Sequence, residues 1–293
     1  MKFLLTILCL SFSSGLYGQN SSLGYLFPQP VRVSPGQLIS VFLAGNIQGT
    51  VSAAVDQAAE YPAPVLEVRA TCGNSISNGP CVPYTAITIQ IPYEMAPTCF
   101  VCAIVNSYNT QLLVTVDGAT AATIMLTPLG DQVHILTACD TVVPSGDGYA
   151  PYFGLPCRPL VTHADGSAVS QTSPATGGEV VVAYAVGLGA TNPVTATGQA
   201  ATAATPAFET FALDFNFRLN ALATQPMLAA AQPGSVPLYA GLAPGYVGLY
   251  QINFQVPPPP AGTPVCNGTI QSNLTVSVGG PNSFDGAGIC VAP

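Results

Sequence analysis

The sequence has no tryptophan, a single lysine, two histidines and little charge of either sign; Asp, Glu, Lys and Arg together make up 6% of its 293 residues. Beyond Lys2 the cations are Arg32, Arg69, Arg158 and Arg218, set against 13 acidic residues. Phosphate backbones and anionic bilayers are gripped by clustered Lys and Arg, so neither nucleic acid nor an acidic membrane surface is an expected partner. Past the N-terminal segment no uninterrupted apolar run reaches the ~18 residues of a membrane helix, so no membrane span is expected. Two histidines leave little material for general acid–base chemistry. Helix signals are scarce as well. The 28 prolines and 29 glycines break the chain into windows of about ten residues, shorter than most stable helices.

What is present at the start reads as an export signal. Lys2 precedes the apolar run Phe3 to Leu10, and small residues follow, among them Ser13, Gly15 and Gly18, so residues 1–18 are assigned to a signal peptide. Cys9 leaves with it; it lies too early for a lipid-anchored cysteine, and Leu8 before it is too bulky. Eight cysteines remain: Cys72, Cys81, Cys99, Cys102, Cys139, Cys157, Cys266 and Cys290. An even number in an exported chain predicts a disulfide framework. Zinc would need a second close pair beside Cys99 and Cys102, and a redox role would place that pair at the start of a helix. Local pairing is expected: Cys72–Cys81 across a turn-rich hairpin, Cys139–Cys157 across a connecting loop and Cys266–Cys290 tying down the C-terminal tail. Elimination leaves Cys99–Cys102, which forms only if the turn at Pro97-Thr98 continues through it; otherwise one of them crosses to the hairpin.

Between the Pro and Gly breaks lie β-branched runs at 38–43, 84–91, 112–116, 179–186, 211–218, 250–256 and 274–278. Those at 84–91, 211–218 and 250–256 alternate with the period of two of a half-buried strand. Three phrases recur in order. Pro35-Gly-Gln-Leu-Ile-Ser-Val-Phe matches Gly177-Gly-Glu-Val-Val-Val-Ala-Tyr, Thr88-Ile-Gln-Ile-Pro matches Asn253-Phe-Gln-Val-Pro, and Val114-Thr-Val-Asp-Gly matches Val276-Ser-Val-Gly-Gly. The pattern predicts an all-β chain of two tandem Ig-like β-sandwiches produced by an internal duplication. The first spans 19–130, a connecting segment 131–158, and the second 159–293.

The phrases Gly187-Leu-Gly-Ala-Thr-Asn-Pro and Ala240-Gly-Leu-Ala-Pro-Gly-Tyr-Val-Gly-Leu-Tyr-Gln-Ile-Asn-Phe-Gln-Val-Pro resemble the Solibacter-type uncharacterised C-terminal domain family of acidobacterial secreted proteins. Val33-Ser-Pro-Gly-Gln-Leu-Ile-Ser-Val-Phe and Ile89-Gln-Ile-Pro-Tyr-Glu-Met-Ala-Pro resemble the opening and middle of the same family. The resemblance covers about 31–280. It implies export and a module that commonly follows other domains, and it implies no activity. This chain departs from the pattern in having little upstream of the module and many cysteines.

No constellation points to catalysis. His163-Ala-Asp-Gly-Ser167 holds a histidine, a carboxylate and a hydroxyl, but neighbours on a tight turn point apart, and a polar β-turn is expected. His134 alternates with apolar residues and reads as a strand position. Glu60, Glu67, Glu94, Glu179, Glu209 and Asp214 are scattered singly. Asp147, Asp165 and Asp285 each precede a glycine in isolated turns, without the spacing of a calcium loop. Gly187 and Gly189 open no helix and serve a turn or bulge. Tyr239, Tyr246 and Tyr250 are candidates for a binding patch, with the core or edge of a sandwich as the competing place. No catalytic, cofactor-binding or metal-binding residue is expected. The expected function is a secreted, non-enzymatic structural or interaction module at or beyond the cell surface, meeting an unidentified extracellular protein or glycan. A carbohydrate- or peptide-binding module is the alternative, and an enzyme of undetected type a distant third.

Overall fold

The computed structural model describes the backbone strands 19–22 and 25–26 and residues 30–73, 82–97, 110–138, 140, 158–228 and 235–293. The expected signal peptide and Cys81, Cys99, Cys102, Cys139 and Cys157 lie outside these residues. Cys72 ends a strand of which only the backbone is described there. The described chain is all-β, with no α-helix among its described residues.

The strands form two β-sandwiches. In the first, one five-stranded sheet runs β2 (Tyr25–Leu26), β1 (Gln19–Ser22), β4 (Leu38–Ala44), β8 (Val82–Gln90) and β7 (Val65–Gly73). The facing sheet runs β3 (Val31–Val33), β10 (Ala119–Pro128), β9 (Gln111–Val116), β5 (Val51–Asp56) and β6 (Glu60–Pro62). Alternate residues of both sheets point inward and meet: Ile39, Val41, Ile87 and Ile89 from one, Val55, Leu112, Val114 and Ile124 from the other. The β9–β10 hairpin turns on Asp117 and Gly118, both with positive φ (49° and 80°), the primed geometry that matches strand twist and that Asp-Gly accommodates.

The second sandwich sets a six-stranded sheet against a three-stranded one. The larger contains β11 (His134–Ile135), β13 (Val180–Val186), β17 (Tyr250–Gln255), β16 (Tyr239–Leu242) and β14 (Thr205–Pro206), with β12 (Val161–Thr162) also pairing β13. The smaller is β15 (Ala212–Asn216), β18 (Leu274–Gly279) and β19 (Phe284–Ile289). Val181, Ala183, Ile252 and Phe254 pack on Leu213, Leu274, Val276 and Ile289. Val133 and Ile135 already belong to this core, so the chain enters the second sandwich within the first few residues of the segment expected to connect the two.

The two sandwiches repeat one local plan. Leu38 faces Gln90 and Ile39 faces Ile89 across β4–β8; Val180 faces Gln255 and Val181 faces Phe254 across β13–β17. Ala53 faces Val114 in the first, Phe215 faces Val276 in the second. The turns entering β4 and β13 also match. The Gly36 amide donates to the Ile91 carbonyl (2.9 Å) as that of Gly178 does to Val256 (2.7 Å). The Gln37 side chain accepts from the Ser34 amide at 2.8 Å, and Glu179 accepts from the Thr176 amide at 2.8 Å. Even the parallel pairing recurs, Val33 beside Pro128 and Ala175 beside Val291.

The sandwiches touch end to end. The end of the β4–β8 face carrying Leu38 and Gln90 meets the opposite end of the β13–β17 face. Leu38 joins Leu136, Val186, Tyr184, Leu160 and Leu249 in a small apolar cluster. Around it the Gly198 amide donates to Gln90 Oε1 (2.7 Å), the Tyr93 amide to Thr197 Oγ1 (2.9 Å), and Thr197 Oγ1 to Glu94 Oε2 (2.6 Å). The Tyr93 and Tyr250 hydroxyls lie 3.2 Å apart.

Candidate functional site

His163 sits where β12 gives way to the loop that leads back to β13. The loop's tip is the turn Asp165-Gly166, Gly166 having φ +85°. Ser167 donates from its amide (2.9 Å) and its hydroxyl (2.6 Å) to Asp165 Oδ1. Both hydrogen bonds stabilise the ionised carboxylate and hold Asp165 below its usual range. The local His-Asp-Ser triplet is therefore a polar turn, as its spacing predicts. The partners of the imidazole come from further along the chain. Its Nδ1 lies 2.5 Å from Glu179 Oε1, and its Nε2 lies 3.1 Å from the Ser173 carbonyl oxygen and 3.2 Å from Ser173 Oγ.

Serine, histidine and glutamate in this order have the outline of an acyl-transfer triad. The same contacts also fit a structural ion pair between His163 and Glu179. A carboxylate only accepts, so Nδ1 carries a proton toward Glu179, whereas Nε2 faces both the Ser173 carbonyl, which accepts, and the Ser173 hydroxyl, which can donate. The bond to Glu179 is the chief cause that raises the His163 pKa above its ordinary value, with burial acting the other way. Burial acts to raise the Glu179 carboxyl, but His163 and the Thr176 amide outweigh it and hold it below its usual value. In its doubly protonated form the ring cannot take the Ser173 proton. The residue after Ser173 is Pro174, which has no N–H to offer an oxyanion. The cluster pins the 163–176 loop to the start of β13. Sequence spacing hides it, because Ser173 and Glu179 are ten and sixteen residues from His163.

His134 on β11 is clamped the same way. Nδ1 lies 3.1 Å from Asp285 Oδ2 on β19, and Nε2 lies 3.2 Å from Asp140 Oδ1. Asp140 is fully buried, and its second oxygen accepts from Thr137 Oγ1 at 2.9 Å. Burial by itself would lower the His134 pKa; the hydrogen bonds and charges of Asp140 and Asp285 prevail and raise it to about 9. Asp285, read from the sequence as an isolated turn residue, thus joins the two sheets of the second sandwich. Nearby, the buried Asp131 carboxylate accepts four hydrogen bonds, from the amides and side chains of Asn282 and Ser283 at 2.7–2.9 Å. Burial first, and the Asp131 charge second, push the Glu209 carboxyl up. With its oxygens already bonded to these donors, Asp131 serves structure.

The tyrosines form no single patch. Tyr250 is fully buried, its hydroxyl donating to the Gly189 carbonyl; Tyr239 is half-buried with its hydroxyl on the Leu242 carbonyl (2.9 Å), and Tyr246 is exposed. Gly187 and Gly189 take φ of 79° and 84° at the end of β13 and pack on the backbone of Gln132 and Gly130. Glu94 belongs to the joint between sandwiches, and Asp214 accepts from Thr224 Oγ1 at 3.0 Å. Cys266 and Cys290 are bonded, with Cα atoms 5.8 Å apart. Among the described residues no three His, Cys, Asp or Glu side chains form a metal-binding group. A shallow, open groove of about 530 Å³ lies at the far end of the second sandwich, between Leu213 to Phe215 and Gln255 to Pro258.

No protein-family model matches this chain, and neither does any curated protein.

Proposed function

We propose that the chain is a secreted, non-enzymatic structural or interaction module, made by duplicating one Ig-like sandwich and related to the Solibacter-type C-terminal domains. The observation that carries this reading is the state of its two histidines. Each ring nitrogen lies within hydrogen-bond distance of an oxygen and each ring contacts a carboxylate, which supports an ion-pairing role for the side chains best suited to act as a base near neutral pH. The matched registers and entry turns support the duplication. The N-terminal Lys2 to Leu10 segment and the Cys266–Cys290 bond support export. No helix among the described residues is long and apolar enough to cross a membrane.

The open groove beside Phe215 and Gln255 is the feature behind a second reading, a site for a carbohydrate or an extended peptide lying along the surface. The test combines broad esterase, peptidase and glycosidase assays on the mature protein with a glycan and peptide array. No turnover is expected. Turnover abolished by His163→Ala or His134→Ala overturns the non-enzymatic reading, and array binding lost in Phe215→Ala selects the second.

A further inference from the structure

β7 pairs with β8 on one side and forms the rim of its sheet on the other. At nine residues it is the longest rim strand among the described residues, and it contains no proline. Other rim strands carry the protections common to sheet edges. β2, β3 and β6 have two or three residues, β6 ends at Pro62, and β14 is two residues with Pro206 as the second. The Leu213 amide of β15 is bonded to the Ser235 carbonyl at 2.7 Å. The hydrogen-bond phase of β8 shows which groups β7 turns outward. The Gln90 amide donates to the Pro64 carbonyl (3.0 Å) and the Ile91 amide to the Gln37 carbonyl (2.8 Å). Even-numbered residues of β8 therefore turn their backbone groups toward β7, and odd-numbered ones toward β4. Thr88 and Ala86 face Glu67 and Arg69, which direct their own backbone groups back to β8. Val68 and Ala70 then point N–H and C=O to the rim. Val68 is 45% and Leu66 41% exposed, and Ala70 is exposed. Glu67 and Arg69 lie on the other face, 4.0 Å from each other.

We propose that β7 pairs antiparallel with β7 of a second copy of this chain, about a two-fold axis beside Val68. This rests on the reading of the chain as an interaction module and names its partner. The strand's own sequence selects both partner and register. With Val68 opposite itself, Leu66 meets Ala70 of the second copy and Glu67 meets its Arg69. Apolar residues then lie on apolar ones and each charge on its opposite. Val68 falls in a hydrogen-bonded position, as its outward backbone groups require. Glu67 and Arg69 fall in the non-hydrogen-bonded positions, where facing side chains come closest. Centring the axis on Leu66 or on Ala70 would set both charges opposite uncharged residues. Both copies use the same surface, so the contact is isologous and closes at a dimer. A bulge between Val65 and Glu67 keeps the paired stretch short, and a formal charge of −8 on every copy repels; the dimer is therefore a weak one.

Sedimentation equilibrium of the mature chain tests this, from about 1 μM to about 1 mM, a range that captures contacts of modest affinity. The weight-average mass is expected to rise from the monomer toward the dimer and not past it. Glu67→Arg and Arg69→Glu each set like charges opposite one another, and each variant alone is expected to stay monomeric. Mixed in equal amounts they are expected to dimerise again, because each then faces the opposite charges of the other. Val68→Pro removes an amide that points to the rim and takes no part in the pairing with β8; it too is expected to stay monomeric. Melting curves show which variants fold, and Glu67→Arg with Val68→Pro decide the matter if Arg69→Glu does not. A wild-type chain that stays monomeric throughout, a mass that climbs past the dimer, folded variants that dimerise like the wild type, or a mixture of the two folded charge variants that stays monomeric each overturn the proposal. A monomeric chain that still binds an array ligand leaves the module reading standing, whereas catalytic turnover removes that reading whatever the mass.

Discussion

Gly187, like Gly189, is held by a close backbone neighbour. Its φ of +79° is strained for an L side chain, and a β-carbon there would fall 1.9 Å from the Gln132 carbonyl oxygen. That oxygen cannot retreat freely, because the Gln132 amide is bonded to the Gly187 carbonyl at 2.7 Å. Gly187→Ala is expected to cost at least ~2 kcal/mol, combining positive-φ strain with a backbone clash; urea denaturation measures it, and a loss under ~0.5 kcal/mol would contradict the packing described. The two histidines constrain stability through charge. His134 has its pKa raised from 6.5 to about 9. Its contribution is therefore complete below pH 6.5 and disappears as pH rises through about 9. Its size is on the order of 3 kcal/mol. Wild-type stability should fall across that window, and His134→Gln should flatten the slope while lowering stability below it. A wild-type curve that is level from neutral to alkaline pH would show that the clamp is not ionic.

Strands were the most legible part of the sequence, for physical reasons that also explain the omissions. All seven β-branched runs lie on strands of the structure. Strands such as β10 and β19 escaped notice because Ala119-Thr-Ala-Ala-Thr and Phe284-Asp-Gly-Ala-Gly carry too little hydrophobic contrast to show a period of two. On β19 the glycines answer to a neighbour: a β-carbon at Gly286 would lie 2.4 Å from Ala223 Cβ, on the segment crossing that face. The C-terminal disulfide was readable from the need to hold the chain's end. Cys266 and Cys290 are 24 residues apart, and closing such a loop stabilises by about 3 kcal/mol in the chain-entropy model. Replacing both by alanine is expected to lower the melting temperature by several degrees without altering strand content. A melting temperature unchanged by the replacement would mean that the tail is held by Asn273, whose side chain already bonds Val291 at both ends (2.8 and 2.9 Å).

At the scale of the whole molecule the sequence conveyed the number of sandwiches and the order of their parts, and not how they meet. Gln90 and Glu94 gave no sign of a joint, since their partners Gly198 and Thr197 lie about a hundred residues away in a loop with no pattern of its own. The same distance problem hid Ser173 and Glu179 from His163. What the sequence did convey about function was mainly exclusion, and the functional reading turns on whether the two imidazoles are free. With two histidines in the chain, each ring gives its own signal in a nitrogen–proton correlation spectrum recorded across pH. His134 is expected to be doubly protonated at pH 7 and His163 to titrate above the ordinary 6.5, and Glu179→Gln is expected to lower the midpoint of His163 alone. A His163 midpoint at or below 6.5, with Nε2 unprotonated at pH 7 and facing Ser173 Oγ, would supply a base to the cluster and contradict the non-enzymatic reading.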